Sequence, residues 1–404
     1  MKIVVLKFGG TSVGSVNRIK KVANIIVNHI KKKYKVIVVS SAMSGATNEL
    51  IRKSKQLSNS FDKSEYDVLV SSGEQMACAL IAGRLRHLGY KSRSWMSWQV
   101  PIFSEGSYGS SRISRINKNR ILKFLKSGGI PIITGFQGIN ENNRITTLGR
   151  GGSDASAIMC SKFFKAQKCI IYTDVIGIMT TDPRILKNAK KIKVISYEEM
   201  LEMASLGAKV MQPSSIQDAR LNRIDISVKS SFVNQEGTLI TKRRNIFSNR
   251  IITGISSTKN DAKVTLVGVK DKPGVAASIF KPISQNSINV DMVVQNISAN
   301  GKETDLTFTI KSEDLPKTQK LIKKNKKIRF RNLIVDKDVS KVSIIGVGMI
   351  TTPGVTHRMF QTLAEKNINI MVISTSEIKI SVLISKKNVK KAVSALHREF
   401  KLDK

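Results

Sequence analysis

Ile3-Val4-Val5-Leu6-Lys7-Phe8-Gly9-Gly10 is the stretch on which the fold turns. Four consecutive apolar residues, Ile3 to Leu6, read as a short strand. The strand ends in a lysine and two glycines, which bring backbone N–H groups and one fixed cation to a point where phosphates would lie. Far downstream, Thr147-Leu148-Gly149-Arg150-Gly151-Gly152-Ser153-Asp154 is a second glycine-rich turn with paired charges. Arg150 suits a forked grip on a carboxylate, and Asp154 suits the holding of a lysine. Together the two turns point to phosphoryl transfer to a small acid.

Working outward, Ser15 precedes Val16, Ile19, Val22, Ala23, Ile26 and Ile30, the spacing of a helix. Val36-Ile37-Val38-Val39 is again a continuous apolar strand, of the type buried on both faces of a parallel sheet. A helix is expected from Asp67 through Ala82, with further strands at Ile130 to Ile133 and Cys169 to Tyr172. This alternation predicts an α/β architecture. Ligands of open α/β sheets sit beyond the carboxyl ends of the strands. The polar turns Lys7 to Gly10, Ser40 to Met43, Thr134 to Gly138 and Thr173-Asp174 all fall there. Glycines serving only strand-to-helix turns would explain any one of these, but hardly all together.

The 404 residues are 41% hydrophobic and 24% charged, an ordinary soluble composition with room for two or three domains. The net charge of +39 raises nucleic acid as a partner. The basic residues, however, are scattered, as at Lys20-Lys21, Lys31 to Lys33 and Lys323 to Lys327, without aromatic interleaving or any finger, homeodomain or RNP pattern. No nucleic-acid partner is expected. Cys78, Cys160 and Cys169 lack metal-ligand spacing and read as core residues of a reducing cytoplasm, with no metal site. Ile3 to Leu6 is too short for a signal peptide and no stretch approaches a membrane span, so a cytoplasmic protein without a membrane partner is expected.

Past the charged break Thr241-Lys242-Arg243-Arg244-Asn245 the chain repeats itself. Val264 to Val269 matches Val342 to Val347, Pro273-Gly274-Val275 matches Pro353-Gly354-Val355, and Ile288-Asn289-Val290 matches Ile368-Asn369-Ile370. A period of this size marks a duplicated small domain. Each copy is expected to run strand, Pro-Gly turn, helix, strand, strand, helix, strand, the ferredoxin-like order. The expected domains are 1–245, 260–335 and 340–404, with 249–259 a candidate strand of the last.

Over essentially its whole length the sequence resembles the aspartate kinases. The resemblance rests on Lys7-Phe-Gly-Gly-Thr-Ser, Ser40-Ser-Ala-Met-Ser-Gly-Ala-Thr47-Asn48, Ser72-Gly73-Glu74, Gly135-Phe-Gln-Gly138, Thr147 to Asp154, Tyr172-Thr-Asp174 with Thr181-Asp182-Pro183-Arg184, and the doubled Pro-Gly units of ACT type. It implies an amino-acid-kinase αβα sandwich with a mainly parallel sheet, followed by two ferredoxin-like βαββαβ ACT domains. It also implies ATP-dependent phosphorylation of the L-aspartate β-carboxylate, with Mg²⁺ arriving on the nucleotide. A carboxylate is already a nucleophile, and His29, His87, His357 and His397 lie outside every turn named above. Catalysis by positioning and charge neutralisation fits that pattern.

By resemblance, Lys7 and Lys209 hold phosphate oxygens from two sides, and Asp154 orients Lys7. Arg150 clamps the substrate α-carboxylate, Glu74 takes its ammonium, and Ser41, Thr47, Gly151, Gly152 and Ser153 line the substrate. The nucleotide would meet Lys7, Phe8, Gly9, Gly10, Thr173, Asp174, Asp182, Arg184, Lys209 and Val210. Other readings exist: Glu74 as an exposed charge in a first helical turn, Lys209 as one solvated lysine among many, and Arg150 with Asp154 as a structural pair. The sequence departs from the family at Ile176, where an acid is usual, and at Met179, where Tyr or Phe is common.

The ACT pair implies feedback inhibition by lysine, threonine or both. The effector residues by resemblance are Asp271, Gly274, Val275, Ala276, Asn289, Asp291, Gln295, Asn296 and Ser298, with Asn369, Ile370, Ser376 and Glu377 from the second copy. No methionine lies between Met211 and Met292 to start a separate regulatory chain, so a homo-oligomer is expected. The rival readings are another amino-acid kinase, or an amino-acid sensor without catalysis.

Overall fold

Strand Ile3–Phe8 lies inside an eight-stranded sheet of the computed structural model. Its neighbours are Lys35–Ser40 and Lys168–Thr173, both parallel to it. Ile130–Thr134 and Ser92–Trp95 extend the sheet on one side, and Ile226–Ser230, Thr238–Ile240 and Val194–Ile195 on the other. Only the pairing of Ile226–Ser230 with Thr238–Ile240 is antiparallel. The structure describes residues 1–207, 210–242, 250–297, 303–325 and 328–403. Two compact units result, residues 1–178 with 191–248, and residues 179–190 with 249–404.

Alternation along the first strand sorts its side chains to two faces. Val4, Leu6 and Phe8 pack against Val22 and Ile26 of helix Val16–Lys31 and against Ala77, Ile81 and Leu85 of helix Lys63–His87. Lys7 therefore points to the opposite face, where helix Gly152–Phe163 packs. The parallel register pairs Phe8 with both Ser40 and Tyr172, so three strands end at one level and their turns gather there. A small sheet of Ile102–Glu105, Arg112–Ile116, Gln137–Ile139 and Ile145–Thr147 adds a further wall.

The helix expected from Asp67 begins earlier, at Lys63, and ends at His87. Its cap is Asp62, whose carboxylate accepts the Ser64 and Glu65 N–H groups. Asp67 is consequently an interior helix residue and is fully buried. Cys78, Cys160 and Cys169 are buried free thiols. Among the described residues no helix is long and apolar enough to cross a membrane.

The second unit is built on one seven-stranded sheet. The first repeat contributes Asp261–Lys270, helix Val275–Gln285, Val293–Ile297, Glu303–Lys311, helix Leu315–Lys324 and the opening of the long strand Asn332–Ile345. The second repeat takes over the end of that same strand, then helix Val355–Ala364, Val372–Ser376, Lys379–Ser385 and helix Val389–Glu399. In contrast to the expected order, no strand follows this last helix among the described residues. Gly254–Ser257 instead pairs with Ile345 to Val342, on the side away from Lys379–Ser385. Each repeat keeps its own core, one around Phe308 and Leu266, the other around Met359 and Leu396.

Residues 179–190 belong to this second unit although their chain neighbours on both sides belong to the first. The Thr180 carbonyl accepts the Ile255 N–H at 2.7 Å. Its hydroxyl lies 2.9 Å from Nε2 of the buried His397, and Ile185 packs against the core of the second repeat.

Candidate active site

The gathered turns enclose a cleft of about 670 Å³ in the first unit. Lys7, Gly10, Ser41, Thr47, Glu74, Arg150, Gly151, Gly152, Ser153 and Asp154 all line it. Lys7 enters from the end of the first strand and Asp154 from the first turn of helix Gly152–Phe163. Their charged atoms are 2.6 Å apart, and both side chains are about nine-tenths buried. Asp154 thus pairs with Lys7, and the alternative of an Arg150–Asp154 structural pair is not what the structure contains.

Glu74 is buried, not an exposed charge in a first helical turn, because it lies in the middle of helix Lys63–His87. The helix comes close to the Ser41–Ser44 turn at Gly73, where an added Cβ would stand only 2.8 Å from the Ala42 Cβ. That closeness lets the Ala42 N–H reach Glu74 Oε1 at 3.0 Å. Oε2 is buried and has no hydrogen-bond partner among the described residues. Burial pushes the carboxyl up to about 7, against the opposing pull of the Ala42 N–H and the Lys7 charge. A buried acid with one oxygen unmatched, beside a cleft, is suited to a cationic ligand group.

Several expected nucleotide residues lie elsewhere. Phe8 is in the core, stacked on Tyr172 with ring centroids 5.0 Å apart, and its side chain does not face the cleft. The Gly9 N–H donates to the Tyr172 carbonyl at 3.0 Å and is thereby engaged within the sheet. Thr173 ends the neighbouring strand Lys168–Thr173 and Asp174 follows it; a 3.0 Å hydrogen bond joins their side chains, and neither lines the cleft. Asp182 and Arg184 belong to the second unit, where they form a 2.7 Å ion pair that holds the Asp182 carboxyl below its usual range. Lys209 lies outside the described residues, and Val210 is a half-buried turn residue beside it.

In the second unit a cleft of about 420 Å³ is lined by Asp271, Gly274, Val275, Ala276 and Gln295. Gly274 caps helix Val275–Gln285, and Gln295 donates to Asp271 at 3.4 Å. Asn289, Asp291 and Asn296 do not line this cleft, and Asp291 is ion-paired with Lys341. Asn369, Ile370, Ser376 and Glu377 line neither cleft, and Ile370 packs on the core of the second repeat. Ser298 lies outside the described residues.

Two contributors have no counterpart among the sequence-derived residues. The Ala42 N–H is a backbone group and leaves no trace in residue type. Asp67 does leave one: with Glu74 it makes two carboxylates seven residues apart, hence on one face of a helix that is otherwise rich in apolar and small residues.

A parallel αβα domain with a cleft at its strand ends lined by Lys7, Arg150, Glu74 and Asp154, joined in one chain to a pair of ferredoxin-like repeats, defines an amino acid kinase with ACT domains. The Amino acid kinase family matches residues 2–230, and the ACT domain matches residues 264–325 and 342–400. An aspartokinase of Geobacillus stearothermophilus is 43% identical over 402 residues, covering 100% of this chain and 98% of that protein. The solved structure of E. coli aspartokinase III in complex with aspartate and ADP superposes with a TM-score of 0.79 at 25% identity, covering 98% of this chain and 99% of the other. The same enzyme in complex with lysine and aspartate gives 0.80 at 25% identity, covering 99% and 100%. The chain belongs to the aspartokinases and is a kinase.

Proposed function

We propose that the protein transfers the γ-phosphoryl group of Mg²⁺-ATP to the β-carboxylate of L-aspartate, giving 4-phospho-L-aspartate. This is the first step toward lysine, threonine, methionine and diaminopimelate. The observation that carries the reading is the unmatched Oε2 of buried Glu74 in the same cleft as the Lys7–Asp154 pair and Arg150. An amino-acid substrate with a second carboxylate supplies what each group lacks. Its ammonium goes to Glu74, its α-carboxylate to Arg150, and its β-carboxylate is left facing the phosphoryl group beside Lys7. Ser41, Thr47, Gly151, Gly152 and Ser153 surround the substrate, and Gly10 and Lys7 meet the phosphates. Thr173, Asp174, Asp182, Arg184, Lys209 and Val210 are assigned to the nucleotide by resemblance alone.

The aspartate and ADP bound in the E. coli structure support this substrate pair, and its lysine complex supports lysine as an effector here. Lysine, threonine or both would enter the cleft at Asp271, Gly274 and Gln295, with the amide groups at the start of helix Val275–Gln285 facing the effector carboxylate. The ACT repeats would also carry homo-oligomerisation. The test is trapping of the acyl phosphate as a hydroxamate, with ATP, Mg²⁺ and aspartate or glutamate. Hydroxamate with aspartate alone is expected; its absence with aspartate overturns the proposal.

A further inference from the structure

We propose that Asp67 is a positioning residue for this kinase: a buried carboxylate that fixes the backbone from which Arg150 reaches the substrate. The inference rests on the substrate reading of Arg150 given above. Asp67 Oδ2 accepts the Thr147 N–H at 2.7 Å and the Gly109 N–H at 2.9 Å, while Oδ1 accepts the Thr147 hydroxyl at 2.7 Å. The residue is fully buried, and these partners come from chain segments remote from its own helix.

Two N–H groups that can only donate, and a hydroxyl that donates here, converge on the side chain, a set that an acceptor-only carboxylate satisfies in full. Thr147 is held from its other end as well, because the Ser111 N–H and hydroxyl both donate to its carbonyl, at 3.0 and 2.9 Å. The two segments also touch at Gly149, whose φ is +71° and where an added Cβ would be 3.1 Å from the Gly109 carbonyl oxygen. Arg150 follows directly, is exposed, and makes no ion pair among the described residues. Among the described residues no ion pair or hydrogen bond holds the guanidinium, so its position is inherited from the turn that Asp67 clamps. Helix Lys63–His87 thereby serves the cleft twice, through Asp67, which holds the cleft residue Thr147, and through Glu74 two turns later, which lines the cleft itself.

The test is steady-state kinetics of the full chain in a double-mutant cycle between Asp67 and Arg150. Asp67→Ala leaves the buried Thr147 N–H and the more exposed Gly109 N–H without their acceptor and is expected to raise KM for aspartate about tenfold while KM for ATP moves by less than about twofold. Asp67→Asn can keep its oxygen on the two N–H groups and turn its amide to the Thr147 hydroxyl, so it should restore KM to within about threefold of wild type. The decisive value is that of Asp67→Ala combined with Arg150→Ala, expected within about twofold of Arg150→Ala alone. Multiplied effects, or an unchanged aspartate KM in Asp67→Ala, would overturn the proposal. Should Asp67→Ala not fold, Thr147→Val carries the same cycle, with a KM rise of about threefold that vanishes in the Arg150→Ala background. An unchanged KM in Arg150→Ala itself would strike the substrate reading. A raised KM there beside a wild-type value in Asp67→Ala would strike Asp67 alone.

Discussion

Lys7 Nζ lies 2.6 Å from Asp154 Oδ1, joining the end of the first strand to the first turn of the helix that packs on the opposite face of the sheet from Phe8. The pair holds a cation at the cleft while screening it from the rest of the core. Because both partners are largely buried, neither is replaceable without exposing the other's charge to a poor environment.

Lys7→Ala should lower kcat by roughly 10²–10³, the loss of one preorganised group that neutralises the transferring phosphoryl. It should also destabilise the fold, since Asp154 is left buried without its partner. Initial rates at saturating aspartate and ATP check the first effect, and urea unfolding checks the second. A kcat near wild type would remove Lys7 from the role proposed for it.

Arg150→Ala should chiefly raise KM for aspartate, because its proposed contact is with a carboxylate that does not react. The kcat at saturating aspartate should stay within about threefold of wild type. A fall in kcat at constant KM would contradict the assignment.

Glu74 gives a pH dependence. The carboxyl, with its pKa at about 7, must be ionised to take an ammonium, so kcat/KM for aspartate should fall as pH drops below 7. One titrating group of this kind gives about a tenfold decrease by pH 6. Glu74→Gln should have a high aspartate KM and should lose this limb of the profile. An identical limb in wild type and variant would assign it to another group.

The same residue bears on stability with the opposite sign. Its pKa is raised from 4.5 to about 7 on folding, so the native state binds the extra proton and stability declines as pH rises through that interval. Glutamine cannot ionise and escapes the decline. Glu74→Gln should therefore be more stable than wild type at pH 8, by roughly 1–3 kcal/mol without substrate, and the gain should vanish near pH 4.5. Denaturant unfolding at the two pH values checks this. A group placed to bind a cation commonly costs stability while it waits for one.

Much of the first unit was legible because its signals are local. The helix expected after Ser15 begins at Val16, and the apolar positions Ile19, Val22, Ala23 and Ile26 face the core as their spacing requires; the Ser15 hydroxyl caps it by accepting the Arg18 N–H at 3.3 Å. The structure also brings the residues of the two glycine-rich turns to a single cleft. What escaped depends on partners far apart in the chain. An Asp before an apolar run looks like a helix cap, and only the contacts of Asp67 with Thr147 and Gly109 reveal an interior residue. Likewise, Asp182 and Arg184 read as continuous with Thr173 and Asp174, but the packing of Ile185 and the Thr180–His397 contact place their segment in the second unit.

That last contact constrains the order in which the protein can be completed on the ribosome. Thr180 leaves the exit tunnel 217 residues before His397 does. At about 5–20 residues per second, the segment carrying Thr180 spends on the order of ten seconds or more without the helix that carries His397. Chains released before that final helix lack the His397 partner of Thr180 and the completed second-repeat core on which Ile185 packs, a handle for chaperones and proteases in the middle of an enzyme sequence.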